Sequence, residues 1–233
     1  VKKLAIFVEG QTEQIFVQKL LKEIADKNTI AIEIRSVNGR QGSRFTTVIM
    51  NDPLTTETKF YVLVYNSGSD SNVASDMKDQ YNSLTASGYE RIIGLRDVYP
   101  IPIMQKSRLQ SGLYSFLPTG TIPIDIVLAV MEVEAWFLAE YNHFIKIDIS
   151  LTPERIQTNF GFNPQVDDME QRPHPADDMH QIYQLVGRAY QKKRNQVNTI
   201  VSNLDYEFLY LQLANSVASL GEFIRYLDKF MSL

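Results

Sequence analysis

Apolar and polar positions along the chain follow two rhythms, and the change comes near residue 140. In the first part, five short apolar runs alternate with segments of helical period. Leu4-Ala5-Ile6-Phe7-Val8 reads as a buried strand that stops at Glu9-Gly10. Thr12 is placed to cap the helix that follows, whose apolar positions Ile15, Phe16, Leu20, Leu21 and Ile24 recur at helical spacing. Residues 30–37 alternate, with Ile30, Ile32 and Ile34 against Ala31, Glu33 and Arg35, the pattern of a half-exposed strand. Further strands are predicted over 60–65, 91–95 and 124–130, with a helix from the Asn66–Ser71 turn to about Ser87. Strands alternating with helices predict an α/β fold with a mostly parallel sheet sandwiched by helices, of Rossmann-like type.

Beyond residue 140 the strand signals stop. Residues 148–178 are loop-rich, with Pro153, Pro164, Pro173 and Pro175, and from Met179 onward the pattern is helical. The clearest stripe is Val217, Leu220, Phe223, Ile224, Leu227, Phe230 and Met231. The expected organisation is therefore an α/β core over 1–140 and a C-terminal helical subdomain over 141–233.

Composition narrows the chemistry. The 233 residues are 44% hydrophobic and 21% charged, which is ordinary for a globular protein. The net charge of -4 does not mark a nucleic-acid binder, so any phosphate ligand must meet local arginines, a bound cation, or both. The absence of cysteine excludes disulfides, zinc–thiolate sites, iron–sulfur clusters and cysteine nucleophiles, and fits a reducing, cytoplasmic setting. The longest apolar stretch, 122–139, carries Asp125, Glu132 and Glu134 and makes a poor membrane span, so no membrane partner is expected.

Three places set acids directly after apolar strands, where α/β proteins usually gather ligands. Glu9 closes the first strand, and beside it Gly10 permits close backbone approach to the start of a helix. Asp97 follows the fourth strand in Arg96-Asp97-Val98-Tyr99-Pro100. Glu132 and Glu134 follow the fifth and share a face if the chain is still extended there. Each has an ordinary structural alternative: Glu9 as complement to a helix dipole, Asp97 as a turn acid, and Glu132 and Glu134 as first-turn helix acids. Together, converging carboxylates call for a cation, and an oxygen-only donor set selects Mg²⁺ or Mn²⁺. Arg35, Arg40 and Arg44, around the loop that follows the second strand, are the better phosphate candidates, joined by Arg96. The run Arg188, Lys192, Lys193, Arg194 reads as a solvated face near a helix end. His143 has no evident partner, and His174-Pro175-Ala176-Asp177-Asp178 reads as helix initiation.

The segment Val8-Glu9-Gly10-Gln11-Thr12-Glu13 resembles the opening motif of a bacterial family of unknown function with a TOPRIM-like (topoisomerase–primase) core. The family's Asp-x-Tyr segment ending in proline is matched by Asp97-Val98-Tyr99-Pro100. Its Glu-x-Glu-Ala segment is matched by Glu132-Val133-Glu134-Ala135. The resemblance implies Glu9 as acid–base group, Asp97 as principal metal ligand, and Glu132 or Glu134 completing the metal shell. Tyr99 stands where TOPRIM domains carry a second aspartate. The third strand ends in Asn66, with Asp70 the nearest acid, and Glu13 is a further candidate. The implied activity is that of a Mg²⁺-dependent nuclease or phosphodiester hydrolase acting on nucleic acid or nucleotide, in bacterial defence beside an ATPase partner. Tyr99 and Asn66 support the alternative of a non-catalytic adaptor with a degenerate site. A small-nucleotide hydrolase or transferase is the third alternative.

Overall fold

A computed structural model describes residues 1–25, 29–39 and 42–232. Six strands form one sheet: β1 (Lys2–Val8), β2 (Ile30–Asn38), β3 (Phe45–Asn51), β4 (Phe60–Asn66), β5 (Arg91–Asp97) and β6 (Ile124–Ala129), in the order β3-β2-β4-β1-β5-β6. β1 pairs in parallel with β4 and β5, β2 pairs in parallel with β4, and β3 runs antiparallel to β2. The fold is α/β with a mostly parallel sheet flanked by helices and a helical C-terminal region, as the alternating pattern predicts.

Contacts divide the chain into two compact units. The first comprises Val1–Arg96, Met104–Leu128 and Arg225–Leu233, and the second Asp97–Ile103 and Ala129–Ile224. The first unit holds the body of the sheet with α1 (Gln11–Ile24), α2 (Asp70–Ala86) and α3 (Lys106–Phe116). Leu4, Ala5, Ile6, Phe7 and Val8 of central β1 are wholly buried. Gly10, not Thr12, caps α1: Thr12 lies inside the helix, and the Glu13 side chain reaches back to accept the Gly10 N–H at 2.9 Å.

Two strand expectations change. β3 has no counterpart in the sequence reading, because an edge strand exposed on both faces carries no periodic burial signal. β2 is not half exposed: Ala31 and Glu33 are buried as fully as the isoleucines beside them.

At Gly94 of β5 the Met77 side chain of α2 packs directly over the strand backbone. A Cβ there would lie 2.6 Å from Met77 Sδ and 2.9 Å from Ile126 Cδ1. Both contacts are with ends of flexible side chains, so Gly94→Ala is expected to cost about 1–2 kcal/mol of overpacking, read as a lower urea midpoint at unchanged m-value.

The second unit contains α4 (Glu134–Ala139), α5 (Asn142–Ile147), α6 (Pro153–Phe160), α7 (Pro175–Gln184), α8 (Arg194–Asn203), α9 (Tyr206–Phe208), α10 (Ala214–Ser216) and the opening of α11 (Ala218–Met231). Thr152 caps α6 by accepting the Arg155 N–H, Pro153 starts it, and Gly161 closes it in the left-handed region at φ 74°. Pro175 likewise opens α7. His143 is fully buried rather than lacking partners: its ring meets the Glu140 carbonyl on one nitrogen and the Tyr183 hydroxyl, at 2.8 Å, on the other. Among the described residues no helix is long and apolar enough to cross a membrane.

Candidate metal centre

The chain leaving β5 and the chain leaving β6 stay side by side. The Val98 N–H donates to the Ala129 carbonyl at 2.9 Å, and the Tyr99 N–H to that of Met131 at 2.8 Å. This brings Asp97 alongside residues 132–134, and its Oδ1 accepts the Val133 N–H at 2.9 Å. Met131 takes a left-handed φ of 59° just before Glu132, so the chain turns there. Glu132 and Glu134 therefore do not share the face of an extended strand: Glu132 sits in the turn, and Glu134 is the first residue of α4. They nevertheless converge. Asp97, Glu132 and Glu134 each place a carboxylate oxygen within 4.8 Å of the others.

Burial makes this grouping consequential. Asp97 is buried, Glu134 fully so, and the Glu132 side chain is 12% exposed. Carboxylates so placed need compensation. Lys192 supplies it, with Nζ 2.9 Å from Glu132 Oε1 and 3.1 Å from Glu134 Oε2. The Tyr190 hydroxyl donates to Glu134 Oε1 at 2.7 Å, and the Ala176 N–H, in the first turn of α7, donates to Glu132 Oε2 at 3.0 Å. That last contact puts the carboxylate at the positive end of a helix.

The titration of these groups follows. Burial is the largest influence on Glu134 and raises its pKa above the ordinary carboxylate value. Attraction to Lys192 opposes this, and repulsion by Glu132 adds to it. For Lys192, burial works to lower the pKa, but Glu134, Glu132 and Asp97 outweigh it and hold the ammonium above its usual value. Lys192 is thus a fixed positive charge.

Neither Tyr190 nor Lys192 is legible as a site residue in the sequence. Lys192 belongs to the run read as a solvated basic face, whereas its side chain turns onto the carboxylates. It does so at φ 54°. It and Met131 are the only non-glycine residues at positive φ among those described. Such backbone costs on the order of 1–3 kcal/mol and concentrates at functional positions.

The other expected residues lie elsewhere. Glu9 follows β1 in the first unit, half-buried, and is outside the three-carboxylate group. Glu13 is engaged in capping α1. Arg44 donates to Asp76 at 2.8 Å and to the Ser67 carbonyl at 3.2 Å, and Arg96 donates to Asp70 at 3.1 Å, so both guanidinium groups hold carboxylates of α2. Arg40 lies outside the described residues. Tyr99 packs edge-on to the His174 ring at 5.6 Å. Both border a cavity of about 250 Å³ that Glu132, Asp177 and Lys192 also line. Of the three carboxylates, Glu132 thus stands beside open space.

The donor set fits a hard divalent cation. All three side chains offer oxygen, with no sulfur or imidazole among them. Three carboxylates against one ammonium leave an excess of two negative charges when all are ionised, and that excess equals the charge of one such ion. No protein-family model, curated protein or solved structure matches the chain.

Proposed function

We propose that Asp97, Glu132 and Glu134 hold a Mg²⁺ or Mn²⁺ ion and that the protein is a metal-dependent phosphodiester hydrolase acting on nucleic acid or nucleotide. The observation that carries this reading is the convergence of three carboxylates within 4.8 Å around a single ammonium. When bound, the ion would polarise a phosphoryl oxygen and lower the pKa of a water. The chain's own residues prepare the place. The Val133 and Ala176 N–H groups fix Asp97 and Glu132, and the Tyr190 hydroxyl fixes Glu134, so the oxygens are oriented before any ligand arrives. Lys192, held protonated, offers a cation to a phosphate entering the cavity bordered by Tyr99 and His174. The resemblance to TOPRIM-like proteins supports the phosphodiester substrate. It also supports a role in bacterial defence beside an ATPase.

A second reading rests on the same contacts. Lys192 already bonds two of the three carboxylates, and Tyr190, Val133 and Ala176 satisfy further oxygens. A network so occupied also suits a metal-free structural core in a binding or adaptor module.

Calorimetric titration with Mn²⁺ separates the two. On the hydrolase reading the wild type binds one equivalent, and Asp97→Asn and Glu132→Gln each weaken binding by about tenfold or more. Cleavage of oligonucleotides is then lost in the same variants. No binding by the wild type, with or without oligonucleotide, removes the hydrolase reading and leaves the adaptor.

A further inference from the structure

The first unit carries a second polar cavity, and its origin is the side of β2 that sequence alternation assigns to solvent. Glu33 on that side is only 5% exposed. A carboxylate so placed must be bonded. Arg35 Nε donates to its Oε1 at 2.6 Å, and the Tyr61 hydroxyl donates to its Oε2. Burial works to raise the Glu33 pKa, but these two bonds outweigh it and hold the group below the ordinary carboxylate value. Glu33 therefore stays charged with its acceptors in use.

The consequence falls on Arg35. Its guanidinium is anchored through one N–H, and among the described residues its two terminal amino groups make no hydrogen bond. A cavity of about 590 Å³ lies against it, lined also by Lys3, Asn51, Gln80 and Tyr89. Lys3 spends one of its three N–H groups on the Ser87 carbonyl at 2.9 Å, and its Nζ stands 5.9 Å from the centre of the Tyr89 ring. Burial pushes the Tyr89 phenol up to about 12, so it is a neutral hydroxyl at physiological pH. The other acid on the cavity, Asp52, accepts the Ile32 N–H at 3.2 Å and lies 3.8 Å from Lys22.

The two carboxylates lining this space are thus engaged, while Arg35 and Lys3 keep donors to spare. What remains unspent is a rigid, planar guanidinium fork and an ammonium, the groups that recognise carboxylate and phosphate. The volume lies in the range of small-molecule sites. Lys3 and Tyr61 are the second residues of β1 and β4, and Glu33 and Arg35 are the fourth and sixth of β2, so the cavity lies along one face of these three strands. We infer that this cavity binds a small organic oxyanion, its phosphate or carboxylate group seated on the Arg35 guanidinium and the Lys3 ammonium.

The test is calorimetry on the full chain at low ionic strength, with a chelator present so that anions carried by a metal do not register. The probes are inorganic phosphate, AMP and citrate. AMP or citrate is expected to saturate one site with a Kd below about 1 mM and to bind more tightly than phosphate. Whichever of the two binds identifies the source of the oxyanion. Arg35→Lys keeps the charge but loses the fork, and is expected to weaken binding about tenfold. Lys3→Gln, which leaves the Glu33 network intact, is expected to weaken it about threefold or more. Unchanged thermal melts verify that both variants fold. Failure of both organic probes, phosphate binding as tight as theirs, or wild-type affinity in the two variants overturns the inference.

Discussion

Lys192→Ala is expected to lower the free energy of unfolding at pH 7 by about 2–3 kcal/mol. Removing one member of a buried ion pair costs about 3–5 kcal/mol, because the partner is left charged in a poor solvent. The Lys192 side chain is 39% exposed, so water screens part of that cost, and the lower figure follows. The loss carries a pH signature with a definite sign. Glu134 already titrates above its unfolded value of 4.5 through burial, and without Lys192 the folded-state pKa moves higher still. Between the unfolded and folded values the native state binds more protons than the unfolded chain. Stability of the variant therefore falls as pH rises through the folded value, and the deficit shrinks on acidification toward pH 5. Mn²⁺ gives the second readout. If the carboxylates form a metal site, saturating Mn²⁺ restores about 2.7 kcal/mol at one hundred times its Kd, through binding to the folded state alone. A variant as stable as the wild type across this pH range would mean that Lys192 is not what neutralises the cluster. Lys192→Gly serves as control, since it removes the same charge and also relieves the backbone at φ 54°.

The parts of this architecture legible in the sequence are those governed by local periodicity. β1, β4, β5 and β6 follow from apolar runs, and α1 and α11 from stripes spaced three and four apart, because a side chain's burial there depends on its own element facing the core. β3 was invisible for the converse reason. Phe45, Val48 and Ile49 are exposed, so its pairing to β2 leaves no trace in an inside–outside pattern. Glu33 shows a third case, since alternation assigns it to solvent while Arg35 and Tyr61 make its burial tolerable. The candidate centre divides in the same way. Asp97, Glu132 and Glu134 were readable because acids directly after apolar runs are conspicuous. Their mode of convergence was not, because it depends on a left-handed Met131 and on Val133 donating to Asp97 across the two chain segments. Lys192 lies 60 residues from Glu132 in a run of basic residues, and nothing local distinguishes the lysine that turns inward from Lys193, which does not. The local clue is the break in helical pattern around Gly187, between the apolar stripes of α7 and α8.

Trp136→Ala is expected to be costlier still, at about 3–5 kcal/mol, and the reason connects core packing to the acidic cluster. Trp136 is fully buried in α4, a helix of six residues that is far too short to hold its shape without tertiary contacts. Its ring stacks on Phe223 with centroids 6.1 Å apart and planes 24° from parallel. Its indole N–H donates to Ser219 Oγ at 2.8 Å. Ser219 in turn donates both its hydroxyl and its N–H, the latter at 3.1 Å, to the buried Glu170. Alanine would leave a large void and strip this chain of its first donor together. Trp136→Phe separates the two losses: it keeps most of the ring packing but removes the N–H, so about 1–2 kcal/mol is expected, the scale of one buried hydrogen bond with some volume lost. Trp136 is the sole tryptophan, so tryptophan fluorescence vanishes with it, and urea unfolding followed by far-ultraviolet circular dichroism is the measurement that compares all three proteins. Because Glu134 opens the same helix two residues earlier, loosening α4 also frees one carboxylate of the cluster. Trp136→Phe is therefore expected to keep wild-type Mn²⁺ affinity within about threefold, and Trp136→Ala to lose affinity and stability together. If the alanine variant instead unfolded at the wild-type urea midpoint, the Trp136–Ser219–Glu170 chain would not be what fixes α4, and the preorganisation of Glu134 would have to come from Tyr190 and Lys192 alone.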